Sequence, residues 1–514
     1  MQQIKQPHEL GLSYESYRPG QKEIIQRIID SEKHYIILEA PTGAGKSLIA
    51  FSVIKNMDAT GIILIKTKQL QDQYSASFGN HVLVLKGKNN YPCALNPRVT
   101  REDCVFEFLK DKKITDCPKF NSCKYEQIKR EALHFDKIVV TNYAYFLSQR
   151  FLRTPDVLVL DECHSAEQEI IKHAKISIPY RFITSEARAL FENEDYEAFF
   201  TEVNNKVEEE TKEYYNQLKY YEQFDNTNEH ILKLQRKIRA LVTLYENIKF
   251  LKTTFSQDKW YVSSDTKYLK FEPYFGTWFF NVFYQAKQKV ILMSATPPSV
   301  EVAESLFGIP KDEIEYLKMP STFSPAIRPI KLVLTTNLGH KHLAKALPKV
   351  IAVIDRIITE HHSTEKGLLH CKNYSVARYI LSHSALSEYM MLHDSTNRAE
   401  TLDKFKNAEP PAILLSPSFQ EGVDLPYDEC RFQMLVGLQF PSLADKIVQH
   451  RKTVNPIAYN WEVARSIVQA YGRGVRAQDD YCVFYILDTN FVWFFKQNEA
   501  FFTDYFKEGL SGKK

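Results

Sequence analysis

Ala40-Pro41-Thr42-Gly43-Ala44-Gly45-Lys46-Ser47 lies between an apolar run, Tyr35-Ile36-Ile37-Leu38, and a helical one, Leu48-Ile49-Ala50-Phe51. This is the phosphate-loop pattern G-x-x-x-x-G-K-[ST], with Ala40 in place of the first glycine. Gly43, Ala44 and Gly45 are expected to turn backbone N–H groups onto phosphate oxygens, helped by the positive end of the following helix. Lys46 would reach the β- and γ-phosphates, and the Ser47 hydroxyl would ligate Mg2+. Farther on, Val157-Leu158-Val159-Leu160 runs into Asp161-Glu162-Cys163-His164. The carboxyl end of a parallel strand is where open α/β sheets bind ligands. There Asp161 would hold Mg2+ through water, and Glu162 would orient and deprotonate an attacking water. Near the other end stands Gln469-Ala470-Tyr471-Gly472-Arg473-Gly474-Val475-Arg476. Arg473 and Arg476 are three apart, so on a helix they share a face that meets developing charge on a γ-phosphate. Singly, these segments read as a loop Gly-Lys-Ser, a helix cap and surface charge; as a set they predict ATP hydrolysis.

The elements that must position these groups are short apolar strands alternating with helical patterns. One group comprises 35–38, 61–65, 137–140, 157–160 and 290–293; a second comprises 330–334, 367–370, 412–415, 432–436 and 482–487. Continuous apolar strands of this kind build parallel sheets covered on both faces. The prediction is two α/β domains in tandem, parted near Pro320 to Pro329. The first is interrupted at about 88–135 and again between Leu160 and Val290. Positions 180–272 contain no Gly or Pro, and this stretch is predicted to be helical. Ile231, Leu234, Ile238, Leu241, Tyr245 and Ile248 step as a helix seam. A turn at Phe224 to Glu229 would make the stretch a helical hairpin arm, serving either as a packing element or in direct contact with substrate.

The 514 residues fit three or four domains. With 44% hydrophobic and 25% charged residues, the composition excludes a disordered chain, a collagen-like repeat and a small disulfide scaffold. Lys and Arg number 66 against 63 Asp and Glu, so any basic track must be local. No apolar run is long enough to span a bilayer, mean hydropathy is −0.35, and the N-terminus lacks a signal-peptide core. A soluble protein retained where it is made is expected: cytoplasmic or nucleoid-associated, or nuclear in a eukaryote. Of eight cysteines, Cys163, Cys371, Cys430 and Cys482 are scattered, as buried small hydrophobes are. Cys93, Cys104, Cys117 and Cys123 form one group without the close pairs usual in zinc sites. Four thiolates so spaced suit a cubane [4Fe–4S] cluster; a zinc site or unliganded thiols remain alternatives. Around them lie Lys86, Lys88, Arg98, Arg101, Lys110, Lys112, Lys113, Lys119, Lys124, Lys129 and Arg130. Tyr91, Phe106, Phe108, Phe120 and Tyr125 are interleaved. Such a surface grips phosphates and stacks bases, unless it is an ordinary solvated face.

The series as a whole resembles superfamily 2 helicases. Tyr17-Arg18-Pro19-Gly20-Gln21, the phosphate loop, Thr67 with Leu70 and Gln73, and Asp161 to His164 occur in the order of the family motifs. Ser294-Ala295-Thr296, Gln420-Glu421-Gly422-Val423-Asp424 and Gln469 to Arg476 complete them. The four-cysteine insertion, Lys86 to Cys93, Thr141-Asn142-Tyr143 and Ser321-Thr322-Phe323-Ser324-Pro325 are similar to the XPD/DinG iron–sulfur helicases, over about 14–490. Asp-Glu-Cys-His stands where the family usually has Asp-Glu-Ala-His, and Cys163 is small enough to change little.

The resemblance implies two RecA-like domains with ATP between them. Their divisions would be 1–87, 136–165 and 286–325 for the first domain and 326–514 for the second, with an iron–sulfur domain at 88–135 and a helical arch-like insertion at 166–285. Gly422, Asp424, Gln469, Arg473 and Arg476 would close the cleft from the second domain, and Arg18 and Gln21 would touch the base. The nuclease domain fused to some relatives is expected to be absent. Single-stranded DNA and tailed duplexes or R-loops are the implied substrates, with 5′ to 3′ translocation by a monomer and single-strand-binding or repair proteins as partners. An RNA helicase and a redox-sensing DNA-binding ATPase without productive unwinding are the rival readings.

Overall fold

Continuous β-branched runs become strands, most of them followed by a helix that covers the sheet. The computed structural model describes residues 3–104, 106, 113–134, 137–148, 154–221, 229–277, 286–339, 341–394, 396–418, 423 and 425–511. In chain order its strands are β1 (Tyr35–Glu39), β2 (Gly61–Ile65), β3 (Val82–Leu85), β4 (Ile138–Asn142), β5 (Val157–Asp161) and β6 (Ile176–Pro179). There follow β7 (Trp260–Ser264), β8 (Tyr268–Pro273), β9 (Lys289–Ser294), β10 (Ile314–Lys318) and β11 (Ile330–Thr336). The last are β12 (Lys366–Cys371), β13 (Met390–Leu392), β14 (Ala412–Ser416), β15 (Phe432–Val436) and β16 (Val483–Asp488). Gly422, Asp424, Phe108, Lys110, Lys112 and the turn expected within 224–228 lie outside the described residues. Among the described residues, no helix is long and apolar enough to cross a membrane.

The chain forms two compact units. One comprises Met1–Asp58, Asp161–His164 and Lys289–Lys514; the other comprises Ala59–Leu160 and Ser165–Gln288. In the first unit, β10, β1 and β9 pair in that order, all parallel, with Tyr35 opposite both Ile314 and Val290. A six-stranded parallel sheet follows, ordered β11-β16-β15-β12-β14-β13. The helix Leu343–His361 lays Leu347, Val350, Ile351, Ile354 and Ile358 against Leu369, Met434 and Leu487 on one face. The helix Pro456–Tyr471 lays Val463, Ala464 and Ile467 against Leu435, Phe484 and Ile486 on the other. This sheet is therefore covered on both faces, as its unbroken apolar strands require.

A buried cation ties the end of this unit together. Arg328, 1% exposed, donates to the carbonyls of Phe323 and Tyr505, to the Tyr471 hydroxyl and to Glu508. Its guanidinium also lies over the Tyr505 ring, 3.9 Å from the centroid. The linker after β10 is thus bonded to the C-terminal helix Asp504–Ser511 and to Tyr471, the last residue before the arginine segment.

In the second unit β5, β2, β4 and β3 pair in that order, all parallel. The 166–285 stretch contains the helices Ser185–Glu192, Tyr196–Tyr221 and Glu229–Thr254, and the expected seam is buried at Ile231, Leu234, Ile238, Leu241 and Ile248. The helical reading of 180–272 fails at its far end. Trp260–Ser264 and Tyr268–Pro273 form a β-hairpin, and β8 also pairs with β6, all antiparallel. The turn needs no glycine because the Asp265 carboxylate accepts from the backbone N–H groups of Lys267 and Tyr268 at 2.7 and 2.8 Å. The aromatic faces of this small sheet pack on the helices through Trp260, Phe271, Phe199 and Phe200. The arm also grips the cysteine segment. Arg236 forks onto Asp103 at 3.0 and 2.9 Å, and Arg239 donates to the Glu102 carbonyl at 2.8 Å.

Arg328→Met should lower stability by about 2–4 kcal/mol, because several buried acceptors lose their charged donor. Lys318→Ala breaks only an exposed pair with Asp504 and should shift the melting midpoint by about a degree or less. Thermal melts of the two variants side by side check this; equal shifts would remove Arg328 from its place as the hub.

Candidate active site

The phosphate loop leaves β1 along a continued ladder: the Ala40 N–H donates to the Ser294 carbonyl at 2.9 Å. That position is fully buried and is not among the positive-φ residues, so alanine serves where the motif has glycine. Gly43 and Gly45 are the residues that need glycine, with φ of +81° and +76°. A Cβ on Gly43 would stand 2.8 Å from the Phe323 ring, and one on Gly45 would strike the Gln21 amide. Arg18 donates to the Gly43 carbonyl at 2.7 Å and Gln21 to the Ala44 carbonyl at 2.8 Å. Both side chains therefore brace the outer face of the loop.

Lys46 opens the helix Lys46–Asn56, and its ammonium stands 3.4 Å from Glu162. Glu162 follows β5 with φ of +50°, a left-handed conformation that a non-glycine residue adopts only when its surroundings enforce it. The enforcing contacts are present. Ser294 donates to Glu162 Oε2 at 3.3 Å, and His164 Nδ1 lies 3.3 Å from the same oxygen and 2.8 Å from Ser294 Oγ. Gln469 meets His164 Nε2 at 2.9 Å and Thr296 Oγ1 at 3.3 Å, while Arg465 donates to the His164 carbonyl at 2.7 Å. Burial alone would raise the Glu162 carboxyl; Lys46, and after it His164 and Arg473, pull it well below the usual carboxylate range. Burial likewise works against the Lys46 ammonium, but Glu162 and Asp161 hold it above its ordinary value. Asp161, 4% exposed, accepts from the Glu162 N–H at 3.0 Å. Chemically this is an ionised carboxylate beside a cation and a phosphate loop, suited to orienting a water against a terminal phosphate.

The arginines do not share a helical face. The helix ends at Tyr471, and Arg473 and Arg476 lie in the loop beyond it. Gly472 and Gly474 break the helix, and Gly474 backs so closely onto Cys482 that no Cβ fits. Arg473 donates to the Val423 carbonyl at 3.1 Å and Arg476 to the Gly472 carbonyl at 2.9 Å. Their charges still act at the site, Arg473 on Glu162 and Arg476 on Lys46. Asp480, fully buried, fixes the loop by accepting from the Arg476 N–H at 3.1 Å and pairing with Arg431 at 3.0 Å.

Cys93, Cys104, Cys117 and Cys123 line one cavity with Arg101, Phe120 and Glu126. Three of them follow one-turn 3-10 helices, Arg101–Asp103, Ile114–Asp116 and Phe120–Ser122, with nearly the same backbone (φ −65° to −71°, ψ 111° to 123°). Burial pushes the Cys104 thiol up to about 11 against the pull of Arg101, with Cys93 and Cys117 adding to the rise. Glu126 is engaged elsewhere, paired with Arg101 at 2.6 Å. Among the described residues, no three Cys, His, Asp or Glu side chains close on one point as a single ion requires. The expected basic and aromatic surface loses three members. Arg101 is 3% exposed and stacked on Tyr125, while Tyr91 and Tyr125 are core, Tyr125 bonded to Tyr145 at 2.7 Å. Arg98, Lys113, Lys119, Lys124 and Arg130 are exposed.

Sequence reasoning assigned no role to His164, Ser294, Thr296, Arg465 or Asp480. Arg465 and Gln469 are four apart on one helix, the spacing that brings two side chains to one target, and that signal was available.

The type III restriction enzyme res-subunit family matches residues 15–189, and the helicase C-terminal domain family matches 360–509. A probable ATP-dependent helicase of Methanocaldococcus jannaschii is 25% identical over a region covering 32% of this chain and 31% of its own. The chain thus matches less than a third of that relative. Among solved structures, an XPD helicase superposes with TM-score 0.62 at 15% identity, covering 95% of this chain and 98% of that one. The structure of Xpd4 from S. tokodaii gives 0.54 at 15%, covering 96% and 99%. At such identities the likeness is one of fold. The chain shares the fold of the XPD helicase structures, and its residues 360–509 match the helicase C-terminal domain family.

Proposed function

We propose that the protein is an ATP-hydrolysing helicase that tracks 5′ to 3′ along single-stranded DNA and unwinds tailed duplexes or R-loops. The observation that supports this most is the chain of contacts from Lys46 through Glu162 and His164 to Gln469. It joins the phosphate loop to the helix that carries the arginine loop. In this reading Glu162 takes the proton of the attacking water, and the γ-phosphate competes with Glu162 for Lys46. Arg473 and Arg476 meet charge that develops in the transition state. Ser47 and Asp161 would hold Mg2+, which shields the phosphates. Gly422, Asp424, Arg18 and Gln21 remain part of the proposed nucleotide site.

The four cysteines are proposed to hold a [4Fe–4S] cluster. Their all-sulfur donor set fits it, and so does their arrangement around a shared space, since each iron takes one thiolate. Bound there, the cluster would cross-link the three cysteine-bearing turns and Cys93. The exposed basic residues of this segment would grip phosphates. Polarity rests on the resemblance and on one sequence argument: both insertions interrupt the first α/β domain, so a wedge belongs to that domain.

Lys46→Ala and Glu162→Gln should each cut DNA-stimulated ATP turnover by about 100-fold or more. Glu162→Gln should keep ATP affinity within a few-fold, because the carboxylate acts on water. Near-normal turnover in either variant would sink the reading. Matched RNA strands that stimulate turnover as well as DNA would move the substrate class to RNA.

A duplex with a 5′ single-stranded tail should be unwound, while 3′-tailed and blunt duplexes of equal length should not. Better unwinding from a 3′ tail would reverse the polarity and leave the ATP site standing.

Anaerobically prepared protein should be brown and carry about four irons per chain. Each of Cys93→Ser, Cys104→Ser, Cys117→Ser and Cys123→Ser should lose that absorption, and Cys371→Ser should not. Stoichiometric zinc in place of iron would contradict the assignment.

A further inference from the structure

Gln433 is a polar side chain in a buried strand, 1% exposed between Phe432 and Met434 on β15. An apolar residue would satisfy the packing there, and a buried amide costs stability unless every atom is bonded. Its partners fix its orientation, assigned by matching donors to acceptors. The amide nitrogen donates to His370 Nε2 at 2.9 Å and to the Ala470 carbonyl at 2.8 Å, and the oxygen accepts from the Gly474 N–H at 3.3 Å. His370, fully buried on β12, is held down to about 4 by burial. It therefore stays neutral, and the same matching of donors to acceptors assigns the tautomer with Nε2 as acceptor. The other two partners flank Arg473, whose own N–H donates to the same Ala470 carbonyl at 3.3 Å. Gly474 is pinned from behind by Cys482.

We propose that Gln433 is a positioning residue for the arginine loop: seated on His370, its amide fixes the backbone at Ala470 and Gly474 and so sets where the Arg473 guanidinium points. The loop has left the helix at Tyr471, and the helical ladder runs out at the Gly472 N–H, which donates to the Val468 carbonyl at 3.1 Å. Asp480 secures only its far end, at the Arg476 N–H. Arg476 holds the Gly472 carbonyl and Arg473 reaches the Val423 carbonyl, while Gln433 is the side chain that meets the Gly474 N–H.

The kinetic part of the test rests on the proposed ATP hydrolysis; hydrogen exchange does not. In Gln433→Met, amide exchange in a peptide covering 470–476 should speed up about tenfold or more without nucleotide. ATP kcat should fall about tenfold or more with KM within twofold and the melting midpoint within about two degrees. In an Arg473→Ala background the same substitution should change kcat by less than twofold, because the group it positions is gone. Gln433→Asn, whose amide is one methylene short, should behave likewise and serves if the methionine variant folds poorly. Unchanged exchange, or an equal kcat loss in both backgrounds, would overturn the proposal. If the wild-type protein turns over no ATP, the proposed function fails, and the exchange result alone decides the role of Gln433.

Discussion

A carboxylate kept ionised while largely withdrawn from water is the constraint around which the candidate active site is built. Burial at such a place works against the charge on Glu162. It stays charged because Lys46 stands 3.4 Å away, Ser294 donates to it, and His164 lies 3.3 Å from its second oxygen. Each partner belongs to a different element: the helix after the phosphate loop, the end of β9 and the turn after β5. His164 is fixed in turn by Gln469 and Arg465, on the helix that leads to the arginine loop. Separate segments of the first unit thus meet at one charge. A displacement of any of them changes its electrostatics, and nucleotide would enter by the same route, by drawing Lys46 away.

The cysteine segment solves a different problem. Among its described residues the buried apolar side chains are few, Tyr91, Tyr125, Ile128 and Ala132 beside Cys104 and Cys123, and the Arg101–Glu126 pair at 2.6 Å lies with them. Small segments of this kind need staples, and that is the role proposed for the four cysteines around one cavity. The turn that ends at Cys104 is the turn that the arm grips through Asp103. The order of that turn and the anchorage of the arm are therefore linked within the second unit.

Much of this was legible in the sequence. Strands with unbroken apolar runs and the phosphate loop announce themselves because their chemistry is local. What escaped depends on distant partners. Gly474 looks like any loop glycine until Cys482 is seen behind it, and only then is it clear that Arg473 and Arg476 cannot share a helix. The hairpin at 260–273 was read as helix because it lacks glycine and proline; Asp265 makes the turn with its side chain. Tyr125 and Arg101 read as surface groups because alternation with lysines says nothing about Tyr145 or Glu126. Gln433 gave no signal, since a polar residue in an apolar strand has meaning only once His370 and the arginine loop lie against it.

The central claim is that Glu162 is held ionised by its partners, and the pH dependence of kcat/KM for ATP hydrolysis, which reports groups of the free protein, tests it most directly. A depressed carboxyl stays charged through the ordinary carboxylate range, so its contribution is complete above that range and is lost only well below it. The value of kcat/KM should therefore show no acidic limb from Glu162 between pH 8 and about pH 5, above the usual glutamate value of about 4.3. An acidic limb centred between about pH 5 and pH 7 that disappears in Glu162→Gln would show a raised carboxyl and contradict the account.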